Sequence, residues 1–124
     1  MLDQPIYKEL SYQIVGCAME VHKVLGPGFL EKVYEEAFKV ELELNNIKYA
    51  SQAVFPVNYK NRHVKDYICD LIIDDKVIIE LKSIKAIGDL DRAQILNYLK
   101  VTNYKLGLII NFGSTSLEYE RMVY

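Results

Sequence analysis

Residues Asp70 to Lys82 read DLIIDDKVIIELK, two apolar runs joined by a short polar turn, and they are typical of a β-hairpin. Three polar side chains, Asp70, Glu80 and Lys82, interrupt an otherwise apolar background. A charge at a core-like strand position costs free energy unless it is paired, neutralised or bound to a metal. Two carboxylates and an amine on neighbouring strands can hold a divalent cation and a water beside it. The rest of the chain is expected to form the framework around this cluster.

The length of the turn decides whether the three polar groups meet. Glu80 and Lys82 lie two residues apart on one strand and therefore share a face. A two-residue turn would put Asp70 and Glu80 on opposite faces, whereas a three-residue turn over 74–76 sets them directly opposite each other. We predict the three-residue turn or an equivalent bulge, because it gathers the polar groups on one face. The other face is then filled by Cys69, Leu71, Ile73, Val77, Ile79 and Leu81.

Composition and charge are those of an ordinary globular protein. The 124 residues are 51% hydrophobic and 26% charged, which fits a single domain over 1–124. Fifteen Lys and Arg against seventeen Asp and Glu leave a net charge of −2, which argues against bulk electrostatic binding of nucleic acid but not against a local basic groove. No membrane span or signal peptide is expected. Cys17 and Cys69 lack metal-site spacing and are expected to be reduced, buried thiols of a cytoplasmic protein.

Apolar residues at steps of three and four predict three helices, over 4–25, about 29–45 and 89–101. Gly26-Pro27-Gly28 ends the first, and Asp89 or Asp91 can cap the third. The expected buried side of the second helix consists of Leu30, Val33, Tyr34, Ala37 and Phe38, and its solvent side of Glu35, Glu36, Lys39 and Glu43. The expected inner side of the third consists of Leu90, Ala93, Leu96 or Tyr98, and Val101.

Alternating or wholly apolar runs predict five strands, over 53–59, 63–73, 77–83, 106–112 and 117–124. Pro56 indicates that the first strand lies at an edge, since proline cannot donate to a ladder. The almost wholly apolar fourth strand is typical of a central strand, often a parallel one, and the last is expected at an edge. The element order ααβββαββ predicts an α/β fold, a mixed β-sheet flanked by helices.

Three motifs resemble the PD-(D/E)xK nuclease superfamily. Asp70 followed by 80–82, ELK, is similar to the D…(D/E)xK signature, although Cys69 stands where that signature has proline. Residues 28–34, GFLEKVY, match the GxxExxY pattern that names a small family of stand-alone members. Residues 94–98, QILNY, resemble the QxxxY motif of the RecB-like branch. The resemblance spans about residues 10 to 124 and implies a restriction-endonuclease-like core.

The resemblance also implies an activity, a metal and a set of ligands. The chain would be a nuclease that uses Mg²⁺ or Mn²⁺ to hydrolyse phosphodiester bonds, with DNA favoured over RNA. Asp70 and Glu80 would bind the metal, and the backbone carbonyl of Leu81 would add a ligand. Lys82 would be the catalytic lysine. His22 remains open between an extra metal ligand and an ordinary helix-terminal histidine, with the ordinary reading favoured.

Helical residues complete the site that the resemblance implies. Glu31 would bind the metal or a water on it, or else is a first-turn acid favoured by the helix dipole. Gln94 and Tyr98 lie four apart on one helix face and would orient the lysine, a water or the scissile phosphate. Their alternative roles are a solvated glutamine and a core aromatic. Tyr34 is favoured as a packing residue.

Exposed basic residues are the candidates for contact with nucleic acid, namely Lys60, Arg62, Lys65, Lys85 and Arg92. The first three lie near a turn, and such a turn contacts phosphates without reading sequence, or is simply a solvated hairpin tip. The chain lacks a recognition domain, so a homodimer or a partner protein is expected to supply specificity. The alternative functions are a catalytically silent nucleic-acid-binding or protein-interaction module on a nuclease fold, and a hydrolase of another phosphoester.

Overall fold

The predicted order of three helices and five strands is confirmed by a computed structural model, which describes residues 5–124. The helices are α1 Lys8–Leu25, α2 Glu31–Leu44 and α3 Asp89–Thr102. The strands are β1 Tyr49–Tyr59, β2 Arg62–Ile73, β3 Val77–Lys82, β4 Leu106–Asn111 and β5 Glu118–Val123. Most bounds differ from the predicted ones by one to four residues, and the start predicted at residue 4 lies outside the described residues. None of the helices described is both long and apolar enough to cross a membrane.

The five strands form one mixed sheet in the order β1-β2-β3-β4-β5. β3 and β4 are parallel, and the other neighbouring pairs are antiparallel. The parallel pair requires a crossover connection, which α3 supplies. β4 is buried along its whole length, as its apolar sequence predicts, and β1 with Pro56 lies at an edge. The expected α/β architecture is therefore the observed one.

Helices cover both faces of the sheet. On one face, α1 and α2 bury Ile14, Phe38 and Leu42 against alternate residues of β2, β3 and β4. On the other face, α3 inserts Ile95 and Leu99. Gly107 of β4 lies beneath this helix, and a Cβ there would come 2.7 Å from Ile95 Cδ1. α3 is thus held close to the sheet, next to the strand that follows the predicted site.

The predicted sides of α2 and α3 are partly wrong. Glu35, expected in solvent, is only 6% exposed, whereas Leu30 and Val33 are 80% and 40% exposed. The buried stripe of α2 consists of Tyr34, Phe38 and Leu42, at steps of four, with Glu35 beside it. On α3, Ile95 and Leu99 face the core with part-buried Leu96 and Tyr98, while Ala93 is exposed, as are Leu90 and Val101. Each helix has more than one apolar stripe, and the stripe that packs against the sheet is not the predicted one.

The predicted face of Cys69 is also wrong. Leu71 and Ile73 pack towards α1 and α2, but Tyr67, Cys69 and Ile72 pack towards α3. Strict alternation cannot place residues 69 and 72 on one face, so β2 changes face at Asp70 and Leu71. The same point is irregular on β1, where Gln52 has a φ of +56°. The distortion lies where the sequence predicts the site.

Candidate metal and catalytic site

The β2–β3 hairpin has the predicted three-residue turn. Ile73 pairs with Val77, and the paired region continues to Leu71 opposite Ile79. Lys76 N–H donates to the Ile73 carbonyl at 2.9 Å, which closes the turn. Pairing along β2 and β3 ends at Leu71 and Ile79, so Asp70 and Glu80 lie just beyond it.

The Asp70 side chain binds the β3 backbone next to Glu80, beyond these strand ends. Asp70 Oδ2 accepts a hydrogen bond from Leu81 N–H at 2.8 Å. The ladder ends one pair before Asp70 and Glu80, so the expected direct pairing across it is replaced by this contact between a side chain and the backbone. Both carboxylates end up at the same opening between the strands.

The electrostatics of this pair favour a bound cation. Burial, followed by the charge of Asp70, raises the pKa of Glu80 to about 7. Burial also raises the pKa of Asp70, although the Leu81 N–H and Lys82 oppose the shift. Desolvation and mutual repulsion raise the free energy of two ionised carboxylates. A divalent cation that binds between them removes this cost.

Lys82 faces the start of α3. Its Nζ lies 3.8 Å from Asp91 Oδ1, and both side chains are 22% exposed. Asp91 also accepts the Gly88 N–H at 2.9 Å, so the N-cap is Gly88 and Asp91 contributes to the predicted capping from the third helical position. The contact with Lys82 was not predicted, because the pattern of α3 alone does not show which side chain faces its first turn.

Two acidic side chains of α2 lie one turn apart. Glu31 is an exposed first-turn residue, and its pKa is raised, first by desolvation and then by the charge of Asp70, while Lys82 opposes the shift. The charges of Asp70 and Lys82 thus act on Glu31. Glu35, which was not predicted as a site residue, is buried and contacts Lys32 at 3.5 Å and Lys39 at 3.3 Å.

The QxxxY residues divide between solvent and core. Gln94 is exposed, and its side chain makes no hydrogen bond within residues 5–124. Tyr98 is half-buried and stacks on Tyr67, with ring centroids 3.5 Å apart. Both motif residues share a surface groove with Asp91, which places them beside the partner of Lys82.

Tyr67 is the other site residue that the sequence did not indicate. It is 6% exposed, and its hydroxyl donates to Glu80 Oε2 at 2.7 Å. Strict alternation would have placed Tyr67 with Leu71 and Ile73 on the opposite face. The face change of β2 is not visible in the hydrophobic pattern, so no sequence signal identified this contact.

His22 and Tyr34 have structural contacts. His22 is 8% exposed, and its Nε2 lies 3.0 Å from the Ser114 carbonyl oxygen. Tyr34 donates to the Gly26 carbonyl at 2.5 Å and stacks on Phe112, which fits the predicted packing role. These contacts hold the α1–α2 corner, from which Glu31 projects.

The predicted basic residues differ in whether carboxylates of this chain already bind them. Lys60, Arg62, Lys65 and Lys85 are exposed. Lys60 lies in the β1–β2 turn, and Arg62 and Lys65 lie on β2 close to it. Arg92 instead donates through Nε and Nη2 to Glu120, with both bonds 2.7 Å long, and contacts Asp89 at 2.7 Å. A phosphate would have to displace these carboxylates from Arg92.

The oxygen atoms at the strand opening suit a hard divalent cation. Among residues 5–124, no group of three His, Cys, Asp or Glu side chains is arranged to hold a metal ion. Mg²⁺ does not need such a group, since it is commonly bound through one or two carboxylates with waters and substrate phosphates as the other ligands. Asp70 and Glu80 fit this mode.

Comparison with known proteins identifies a sequence family and a solved structure of similar fold. The sequence model of the PD-(D/E)XK nuclease superfamily matches residues 8–122. No curated protein matches significantly. The crystal structure of SSO0001 aligns with a TM-score of 0.53 at 19% identity, over 94% of this chain. The alignment spans 57% of the SSO0001 chain, and at 19% identity the likeness concerns the fold alone.

Proposed function

The chain belongs to the PD-(D/E)XK nuclease superfamily, and on this premise we propose that it is a Mg²⁺- or Mn²⁺-dependent nuclease of the GxxExxY family. The observation that supports the proposal is the hydrogen bond from Leu81 N–H to Asp70, which brings this carboxylate next to Glu80 at the parting of β2 and β3, with Lys82 on the same strand as Glu80. This arrangement gives the superfamily signature a geometry in which its acidic residues meet.

Asp70 and Glu80 would hold the metal, and the Leu81 carbonyl would be a further ligand. When bound, the cation would stabilise negative charge on the phosphoryl oxygens and increase the acidity of water. The chain itself fixes both carboxylates through hydrogen bonds from Leu81 N–H and Tyr67. Their orientation is therefore set before substrate arrives, which favours catalysis by positioning.

Lys82 would hold the attacking water or stabilise charge on a phosphoryl oxygen. Asp91 keeps its ammonium on the α3 side of the opening at 3.8 Å, a distance that leaves the ammonium able to move to a substrate. Glu31 would assist from the rim, through a water or as a further ligand. Gln94 would contact the phosphate or a water from the exposed groove.

DNA is the favoured substrate, and Lys60, Arg62, Lys65 and Lys85 would contact its backbone. We leave Arg92 out of this surface because Glu120 and Asp89 occupy its guanidinium. His22 is likewise left out of the metal site, since its Nε2 contacts a carbonyl. Residues 1–124 would act as one domain, with a homodimer or a partner protein supplying specificity.

The test is cleavage of single- and double-stranded DNA and RNA by purified protein in Mg²⁺ or Mn²⁺. We expect activity that EDTA abolishes and that Lys82→Ala and Glu80→Gln each reduce by about 100-fold or more. Lys23→Ala, an exposed lysine on α1, is the matched control and should keep full activity. Cleavage that survives both site substitutions would reject the proposal.

A catalytically silent module on the same fold is the second candidate. Two observations favour such a module over a strong DNA binder. Lys82 is already paired with Asp91, and the net charge is −2. Metal binding at Asp70 and Glu80 without cleavage of any nucleic acid would select this candidate or a hydrolase of another phosphoester.

A further inference from the structure

The Glu80 carboxylate accepts a side-chain hydrogen bond from one phenol. Tyr67 donates to Glu80 Oε2 at 2.7 Å, and this bond is buried. The contact exists because β2 changes face at Asp70 and Leu71, which brings Tyr67 to the α3 side with Ile78. Glu80, two residues after Ile78, faces the same side. The distortion of β2 therefore serves to bring a hydrogen-bond donor to the carboxylate.

The ring of Tyr67 is fixed between two other aromatic rings. Tyr98 of α3 stacks on it at 3.5 Å with an interplanar angle of 15°, and Phe55 of β1 lies at 6.3 Å with an angle of 24°. Thr102 contacts the backbone oxygen of Tyr98, but the Tyr98 hydroxyl makes no hydrogen bond within the described chain. Tyr98 thus contacts the site through its ring.

We infer that Tyr67 is a positioning residue that orients Glu80 for the metal, and that Tyr98 serves the site through its ring against Tyr67. This inference rests on the proposed function. It gives the motif tyrosine an indirect role, in place of a hydroxyl that touches the lysine or the phosphate. Hydrogen-bond partners of metal ligands are worth about 10- to 100-fold in metal affinity or activity, which sets the size of the expected effect.

The test measures Mn²⁺ affinity by titration calorimetry, together with cleavage as a function of Mn²⁺ concentration. Tyr67→Phe keeps the stacked ring and loses the hydroxyl, so we expect its Mn²⁺ Kd to rise about 10-fold. Its cleavage should return at high Mn²⁺, which damage to the fold would not allow. Tyr98→Phe should match wild type within about 2-fold in both measurements, because the ring remains, whereas Tyr98→Leu should weaken Mn²⁺ binding as Tyr67→Phe does.

The matched control is Tyr104→Phe, which removes another tyrosine–carboxylate bond, to Asp75 at 2.7 Å, away from the strand opening. It should leave the Mn²⁺ Kd unchanged. Wild-type Mn²⁺ affinity in Tyr67→Phe, or loss of cleavage in Tyr98→Phe as large as in Lys82→Ala, would overturn the inference while the nuclease stands. A wild-type protein that neither binds Mn²⁺ nor cleaves would reject both. If Tyr67→Phe does not fold, the contrast between Tyr98→Phe and Tyr98→Leu decides.

Discussion

At the residue scale, the site consists of carboxylates whose negative charges destabilise the folded protein until a cation binds. Glu80 and Asp70 are both desolvated, and nearby negative charge, from Asp70 on Glu80 and from Glu35 on Asp70, adds to the rise of each pKa. Their hydrogen bonds to Tyr67 and Leu81 N–H fix the carboxylates without neutralising them. A buried pair of this kind costs stability in the metal-free protein, and metal binding should recover it.

Glu80 should make the metal-free protein less stable as pH rises. Burial and the Asp70 charge raise its pKa from the ordinary value of 4.5 to about 7 in the folded state. Between these values the folded chain binds more protons than the unfolded chain, so the free energy of unfolding falls with pH. We expect Glu80 to account for a fall of about 3 kcal/mol at most. Urea unfolding in EDTA at pH 5 and pH 8 measures it.

Glu80→Gln is the comparison for this prediction. The glutamine side chain does not titrate, so the fall in stability across this window should be smaller in the variant by the Glu80 contribution. Equal pH dependence in the two proteins would mean that Glu80 is not protonated at neutral pH in the metal-free state.

Glu35 should matter for stability more than its neighbour Glu36. It is 6% exposed and contacts Lys39, whose side chain is 16% exposed. Glu35→Ala leaves the Lys39 ammonium with Glu36 alone, so we expect a loss of about 1–3 kcal/mol in urea unfolding. Glu36→Ala should cost clearly less, because the Glu36 side chain is 57% exposed and its ion pairs are screened by solvent. Equal costs would contradict the buried role of Glu35.

At the element scale, the segment after β3 directs the chain from Lys82 into α3. Asn111 of β4 is fully buried and binds both Ile84 N–H, at 2.9 Å, and the Ile84 carbonyl, at 3.0 Å. Gly113 lies against the same backbone. β4 thus holds the exit of β3, and through it the position of Lys82 relative to Asp91.

Gly113→Ala should therefore be strongly destabilising. A Cβ at this position would collide with Ile84 N and O and lie 2.7 Å from the Ser83 carbonyl carbon. Backbone cannot rotate away as a side chain can, so we expect a loss of about 3 kcal/mol, at the upper end for overpacking. Thermal and urea unfolding measure it.

Gly16→Ala on α1 is the control for this substitution, since a Cβ there meets nothing within 4 Å. It should stabilise the protein by about 0.5–1 kcal/mol, because alanine favours helix more than glycine does. A Gly113→Ala protein as stable as wild type would contradict the close approach of β4 to the segment after β3.

The existence of the elements could be predicted, but not every face they present. Periodicity located all eight, and the turn of the central hairpin followed from the need to bring Asp70 to Glu80. The face change of β2 could not be predicted, because Tyr67, Cys69, Leu71 and Ile73 alternate regularly in sequence. α3 carries several apolar side chains, and packing against the sheet, including Gly107, selects Ile95 and Leu99.

At the scale of the whole molecule, the parallel β3–β4 pair and the α3 crossover bring the two motif-bearing elements together. The sequence pattern predicted this architecture and its signature residues, Asp70, Glu80 and Lys82. The contacts of Tyr67 and Asp91 were missed because each joins two different elements, and the burial of Glu35 was missed because another stripe of α2 was expected to face the core. Such pairings depend on tertiary packing, which the spacing of single residues does not encode.

The basic β1–β2 tip should contribute to substrate binding and not to the chemical step. Replacing Lys60, Arg62 and Lys65 together by Ala removes up to three phosphate contacts. The slope of log Kd against log salt should then fall by about 2–3, with kcat unchanged, in DNA binding and cleavage assays. The triple variant of the exposed residues Lys8, Lys23 and Lys48 carries the same charge change. A slope that falls equally in both variants would mean that the tip is not a specific contact.

The central claim is that Asp70 and Glu80 form one divalent metal site. Crystals grown with Mn²⁺ test it directly through the anomalous signal of the ion. We predict one Mn²⁺ between the two carboxylates, with oxygen distances of about 2 Å, and its loss in Glu80→Gln. Crystals at saturating Mn²⁺ with no ion there, or with an ion bound by other side chains only, would contradict the account.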